Sequence, residues 1–418
     1  IGAIDKGTKI HDEIVSNGLA MENVMLGNAL VGMYATCGAF SEAQKAFDEL
    51  SLRDVITWNA FISGYLQHSK CKQVFDCFEH MQIEGISPNA VTFICTLKAC
   101  ANIGAIDTGK RIHHEVMSNG FLAKHVAVSS ALVDMYAQCG ALSIAYQLLK
   151  DELQVSDSIS WNALISAYVK HGQGGKALSC FKQMQTQGIH PDTITFACVL
   201  KAYGSIRVIE RGKQTHAELV AKGWLNGKCI VLGTALVDMY AKCGGLLEAQ
   251  NVFDKLLERS LVIWNTLIGG YAQLGAYETS LHIYERMIGE EGIQGDEVTF
   301  VSILNACSNA GKIEAGQSFY KSMIEHCCDN LMVTPEHHAC MVDILSRAGC
   351  IDMAVAMLEK MPFQPGVVLW LTLLGSCRKW GNIEHGKLAF EHAIQLVEKD
   401  AAPYVCMFNI YADADAAI

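Results

Sequence analysis

From Val24 onward the chain carries apolar residues in short runs with helical spacing. In residues 55–89, Trp58, Phe61, Ile62 and Tyr65 fall at i, i+3, i+4 and i+7, one face of a helix. Val74, Phe75, Phe78 and Met81 mark a second helix, Gly85 stands where a C-terminus is wanted, and Pro88-Asn89 offers a bend and an N-cap. The pattern then returns. Trp58-Asn59 recurs as Trp161-Asn162 and Trp264-Asn265, 103 residues apart each time. Each interval divides in three: 24–54, 55–89 and 90–125 are followed by 126–157, 158–192 and 193–229, then by 230–260, 261–296 and 297–334. Residues 1–23 read as the back half of a further unit, 335–366 as a short closing unit, and 367–418 as a divergent tail. One helical hairpin cannot bury its apolar face, whereas stacked copies can. The expected architecture is all-α, an α-solenoid superhelix of about eleven helix-turn-helix repeats.

Composition narrows the class. Of the 418 residues 51% are apolar and six are proline, yet no run approaches the ~18 apolar residues of a membrane span. Seventeen cysteines follow the repeat, with Cys37, Cys139 and Cys243 all in Tyr-Ala-X-Cys-Gly. They read as small apolar residues before a helix-ending glycine, in a reducing compartment, rather than as a disulfide framework. A formal charge of −11 argues against a non-specific nucleic-acid binder but leaves room for one that reads bases with neutral side chains. The chain opens at Ile1 inside a unit and closes on ADADAAI inside another, so both ends are expected to be truncations.

Two positions in each unit vary among small polar residues while their neighbours stay apolar: the fifth and the last. The pairs are Asn28/Asp54, Asn59/Asn89, Ser130/Asp157, Asn162/Asp192, Thr234/Ser260 and Asn265/Asp296. An amide offers a pyrimidine edge both donor and acceptor, and a shorter hydroxyl leaves room for a purine. The second position is aliphatic: Met25, Ile56, Val91, Ala127, Ile159, Ile194, Val231, Val262 and Val298. The longest units carry Ile94/His125, Ala197/Cys229 and Val301/Thr334 instead, which cannot discriminate a base by hydrogen bonding and read as spacers or partner sites. An Asn at a helix start is also an ordinary cap, and an Asp after Pro an ordinary turn residue. Six pairs at one register favour a reading role over capping alone.

The stretches ALVGMYATCGAFSEAQKAFDEL (29–50), TWNAFISGYLQH (57–68) and VTFICTLKACANIGAIDTGKRIH (91–113), in units of 31, 35 and 36 residues, closely resemble plant pentatricopeptide repeat proteins of the PLS class. A plain tetratricopeptide array would hold to about 34 residues. HACMVDILSRAGCIDMAVAMLEKMPFQPG (338–366), VVLWLTLLGSCRKWGNIEHGKLA (367–389) and APYVCMFNIYA (402–412) resemble the closing repeat and E-type extension of organellar RNA-editing factors. The resemblance implies a partial L-type repeat at 1–23, tandem S, P and L repeats over 24–334, a closing S-type repeat at 335–366 and a truncated E-type extension at 367–418. It implies sequence-specific binding of single-stranded organellar RNA, one base per repeat, selecting a cytidine for conversion to uridine in a mitochondrion or chloroplast. A DYW-type deaminase, in the same chain or a partner, would do the chemistry, and editing-factor proteins would meet the L-type repeats and the extension; neither a membrane nor a small-molecule substrate is implied. A role in organellar splicing, RNA stability or translation, or as a protein-binding scaffold, stands as the alternative. The family's pairing rule implies U-Y-n-G-U-n-A-U for units 24–54 onward, with the aliphatic second positions sandwiching each base.

Other motifs resemble chemistry without completing it. His11-Asp12-Glu13, His113-His114-Glu115 and His216-Ala217-Glu218 match H-x-E, half of a zinc deaminase signature, but no Pro-Cys-x-x-Cys exists to finish a site. Cys327-Cys328 with His326, His337 and His338 lacks a second Cys pair at zinc spacing and reads as a loop. No cofactor is expected, and no enzyme active site within this chain. The closing unit puts Glu336, Ala339 and Gly366 in the base-facing slots, and Trp370-Leu371 keeps the Trp without the Asn. Trp58, Trp161 and Trp264 are expected to pack between hairpins, while Asn59, Asn162 and Asn265 are expected to face a groove and be dispensable for folding.

Overall fold

A computed structural model describes residues 2–16, 24–50, 52–152, 157–225, 229–325, 333–397 and 400–415. The described residues form an α-solenoid of helical hairpins, in two compact units, Ile1–Ile206 and Arg207–Ile418. In the first unit, hairpin-opening helices run Val24–Thr36, Val55–Gln67, Ala90–Ile103, Val126–Gln138, Ser158–Lys170 and Thr193–Ser205. In the second they run Ile230–Lys242, Leu261–Gln273, Glu297–Ala310, Pro335–Arg347 and Val367–Trp380. Each is followed by a returning helix, such as Cys71–Ile83 after Val55–Gln67 and Tyr277–Glu291 after Leu261–Gln273.

The reason lies in the apolar spacing. Within the first unit, Trp161, Leu164, Ile165 and Tyr168 all lie on the buried face of Ser158–Lys170 and pack with Leu132, Met135 and Tyr136 of the preceding opening helix. Burying one such Leu or Ile side chain stabilises the fold by about 1.5–3 kcal/mol. The opening helices come very close. A Cβ on Gly64 would lie 2.4 Å from the Ala35 Cβ, so glycine permits that approach. The turn between paired helices uses a left-handed residue, Gly38 in one hairpin and, in the next, Ser69 at φ 56°.

The tryptophans pack as expected. Trp58 sits edge-on to Phe47 at 4.7 Å between ring centroids, and Trp264 to Phe253 at 4.6 Å, each ring held against the returning helix of the preceding hairpin. Trp58 Nε1 donates to Glu84, which also takes Arg53, and Trp264, Glu291 and Arg259 repeat that arrangement in the second unit. Trp370 stacks on His392 at 4.2 Å, so the packing role continues where the Asn is lost. Among the described residues the cysteines are free thiols, and burial pushes those of Cys100, Cys180 and Cys340 up to about 12. Such thiols are inert packing groups. No described helix is long and apolar enough to cross a membrane.

Candidate functional site

The last residue of one repeat is the N-cap of the next opening helix. Asp54, Asn89, Asp157, Asp192 and Asp296 all hold extended backbone, and each side chain accepts from a backbone N–H of the first turn. At Asp54, Asn89, Asp192 and Asp296 the third helical residue is a threonine whose hydroxyl accepts the cap residue's own N–H, completing a capping box.

The fifth residue of the preceding repeat joins this cap. Asn28 Nδ2 donates to Asp54 at 3.1 Å, Asn59 to Asn89 at 3.0 Å, Asn162 to Asp192 at 3.0 Å and Asn265 to Asp296 at 2.8 Å. The amide oxygen of the same Asn accepts the threonine hydroxyl: Thr92 to Asn59 at 2.7 Å, Thr195 to Asn162 and Thr299 to Asn265 at 2.6 Å, with Thr57 bonded likewise to Asn28. Ser130 lies 3.2 Å from Asp157 and 2.9 Å from the Val126 carbonyl of its own helix, and the Ser160 hydroxyl donates to Ser130 at 2.9 Å. Five of the six sequence pairs are therefore in direct contact. Thr234/Ser260 is not joined: the Thr234 hydroxyl turns back to the Ile230 carbonyl at 2.7 Å, and Ser260 makes no side-chain cap.

The asparagines are less free than the sequence suggests. Asn59, Asn162 and Asn265 are only 9, 6 and 8% exposed, and each bridges two neighbouring elements. The expectation that they are dispensable for folding is corrected on that ground, because losing one removes the nearest acceptor of a buried hydroxyl and takes a donor from the cap. Burial pushes the carboxyls of Asp54, Asp192 and Asp296 up, but the threonine backbone N–H and the Asn and Thr side chains together outweigh it. All three are held below the usual aspartate range, and so stay ionised.

The second positions stand at the opposite extreme of burial. Val91 is 50% exposed, Val231 55%, Val298 56%, Ile194 58%, Ile56 59%, Val262 63%, Ile159 66% and Met25 78%; Ala127 is exposed as well. In the units of Met25, Ile56, Ala127, Ile159 and Val262 an exposed aliphatic side chain stands about one helical turn from a polar bridge. The longest repeats break the pattern. Ile94 and Val301 are half-buried and Ala197 is buried, while His125 and Cys229 cap nothing with their side chains. At Thr334 a histidine replaces the threonine: His337 Nδ1 accepts from the Thr334 N–H at 3.1 Å and its Nε2 donates to the Glu297 carbonyl at 3.0 Å. In the closing repeat Glu336 is exposed, Ala339 half-buried, and Gly366 offers no side-chain cap.

Thr57, Thr92, Ser160, Thr195 and Thr299 were not singled out by the sequence reading. Their signal was present: a hydroxyl residue stands three places after each Asp or Asn cap, and Ile263 stands there after Ser260. The H-x-E histidines have structural partners. His11, His113 and His216 each direct Nδ1 to a tyrosine hydroxyl of the next repeat, Tyr34, Tyr136 and Tyr240, at 3.1, 3.0 and 2.9 Å. No group of three metal-binding side chains is found among the described residues. His326, Cys327 and Cys328 lie outside those residues, and His337 and His338 serve the start of their own helix.

The chain matches the PPR repeat family over residues 53–102 and 156–205, and the PPR repeat over 234–261, 262–291, 298–328 and 339–363. Among curated relatives, a pentatricopeptide repeat-containing protein of Arabidopsis thaliana is 37% identical across 97% of this chain and 55% of its own length. A mitochondrial one from the same plant is 32% identical across 99% of this chain and 73% of its length, and the chloroplastic CRR2 is 34% identical across 99% and 62%. The chain thus spans between about half and three quarters of these relatives. Among solved structures, the pentatricopeptide repeat protein PPR10 in complex with an 18-nt psaJ RNA element superposes with a TM-score of 0.75 at 20% identity, covering 94% of this chain and 58% of that one. A crystal structure of the pentatricopeptide repeat protein PPR10 from maize gives a TM-score of 0.66 at 19% identity, covering 99% of this chain and 64% of that one.

Proposed function

The chain belongs to the pentatricopeptide repeat family, and from that premise we propose that it binds single-stranded RNA sequence-specifically, one base per reading repeat. The observation that carries this is the pairing, repeat after repeat, of an exposed aliphatic second position with a nearly buried polar bridge. An aliphatic left in water gains nothing for the fold, whereas an apolar contact with a base face gives affinity without regard to sequence. The polar bridge beside it supplies identity. In Asn28, Asn59 and Asn265 the bridge uses one N–H and one oxygen lone pair of an amide that has two of each. The remaining donor and acceptor suit a pyrimidine edge.

The pairs support U for Asn28/Asp54, Asn162/Asp192 and Asn265/Asp296, a pyrimidine for Asn59/Asn89, G for Ser130/Asp157 and A for Thr234/Ser260. The expected ligand is U-Y-n-G-U-n-A-U, 5′ to 3′ along the chain. The finer role is selection of a cytidine for C-to-U editing in a mitochondrial or plastid transcript, supported by the likeness of residues 338–412 to the tail of editing factors. Recognition is then this chain's part, and a DYW-type deaminase supplies the chemistry. Val368, 69% exposed with Leu371 three residues on, keeps the contact surface in the tail without an amide to read a base. The test is a gel shift at physiological salt with the expected strand, a scrambled strand, and strands carrying swaps at the G or the A. Tight binding of the first, and loss on swapping, supports the reading; equal weak binding to all of them refutes it.

A further inference from the structure

We infer that Thr195, together with Thr57, Thr92 and Thr299 in the same place, is a positioning residue for base selection: its hydroxyl joins the capping side chain in fixing which way round the Asn amide of the preceding repeat is held. The inference rests on the RNA reading proposed above. Thr195 is fully buried, so any effect on selection passes through Asn162.

The argument is one of donors and acceptors. The backbone N–H of Asp192 donates to Thr195 Oγ1 at 3.1 Å, which uses an oxygen lone pair. The one hydroxyl proton then has Asn162 Oδ1 at 2.6 Å and Asp192 Oδ1 at 3.0 Å, and the shorter contact is to the amide. An ionised carboxylate only accepts, so the amide atom that meets Asp192 at 3.0 Å is Nδ2. Both ends of the amide are thereby assigned, and a half-turn about its last bond would break two hydrogen bonds at once. Asn162 Nδ2 also lies 3.1 Å from the second Asp192 oxygen; where the amide meets one oxygen only, as at Asn265, what remains for a base is one N–H and one lone pair in a fixed order. Reversing that order would exchange donor for acceptor along the base edge, which is the difference that separates one pyrimidine from the other.

The relay accompanies Asn and no other reading residue. Each of the four asparagines has its threonine, whereas Ser130 meets a serine, Ser160, and a hydroxyl has no amide orientation to set. Thr234, whose following repeat carries Ile263 at this place, is left bonded to its own helix.

The test uses the whole chain with Thr195→Val and Thr195→Ser, and four RNAs that differ only at the nucleotide assigned to Asn162/Asp192. Dissociation constants give the preference for U at that position, and thermal melting follows the fold. The expected result is a preference reduced about tenfold in Thr195→Val, restored in Thr195→Ser, and unchanged at the nucleotide assigned to Asn265/Asp296. Thr299→Val is the parallel variant, with the two nucleotides exchanging roles, should the first not fold. A Val variant that binds all four RNAs more weakly but with the wild-type preference overturns the inference and leaves the RNA reading intact. Wild-type protein without any preference at that nucleotide overturns the reading itself.

Discussion

Asn265 donates its side-chain amide to the Asp296 carboxylate across 2.8 Å, and the same carboxylate caps the helix Glu297–Ala310. One bond therefore joins the candidate reading residue of a repeat to the start of the next repeat. Reading and stacking share atoms, so substitutions here act on both.

Asn265→Ala should lower stability by about 1–2 kcal/mol, because Thr299 loses the nearer of its two acceptors and Asp296 one of its donors. The shift in urea midpoint at constant slope measures it. A midpoint equal to wild type would mean that the bridge adds nothing to the fold.

Acid should weaken the stack through the caps. Asp54, Asp192 and Asp296 have folded pKa values below the usual aspartate value, so the stability they contribute is present above that value and lost as pH falls through the folded one. Stability should decline from about pH 5 downward. Asn89 caps its helix without a charge, so Asp192→Asn should keep the cap and flatten part of the pH dependence. Urea denaturation across that range checks both statements.

Val262→Ser separates binding from folding. Val262 is 63% exposed, so the variant should melt within about 0.5 kcal/mol of wild type yet bind the expected RNA roughly fivefold more weakly. Leu267→Ala, at a fully buried site five residues along, should instead cost about 2–5 kcal/mol. Equal effects of the two on RNA affinity, after correction for the folded fraction, would count against the second positions as contact surface.

Ser69 holds φ 56°, where Gly38 serves the preceding turn at φ 78°. A side chain there is strained, and Ser69→Gly should raise stability by about 0.5–1 kcal/mol after the added freedom of the unfolded chain is subtracted. A small rise in melting temperature is the readout, and a fall would locate some contact of the serine that outweighs the strain.

Tyr240→Phe removes the hydroxyl that His216 meets at 2.9 Å and should cost about 1 kcal/mol. Zinc added to wild type or variant should leave the melting curve where it was. A zinc-dependent shift carried by His216 would reopen the H-x-E motif as a metal site.

Much of this protein follows from its sequence alone. The spacing of Trp58, Phe61 and Ile62 puts three large apolar groups on one face of a short helix, and a face so small must be covered by a neighbouring copy. Hairpin periodicity, helix starts and the run of second-position aliphatics were legible because each depends on local spacing. Tertiary structure decided what local spacing cannot express: which side chains meet across 26 to 34 residues of chain, as Asn28 meets Asp54 and Thr299 meets Asn265. In sequence, Asn162 looks like a small polar residue turned to solvent. In the stack it is nine-tenths buried, because the next opening helix brings Asp192 and Thr195 over it. Thr234/Ser260, polar like the other pairs on paper, stays unbridged: Ser260 caps nothing with its side chain, Ile263 offers no hydroxyl, and Thr234 bonds to its own helix. A hydrogen bond needs both partners placed to within a few tenths of an ångström, and only packing of one repeat on the next does that.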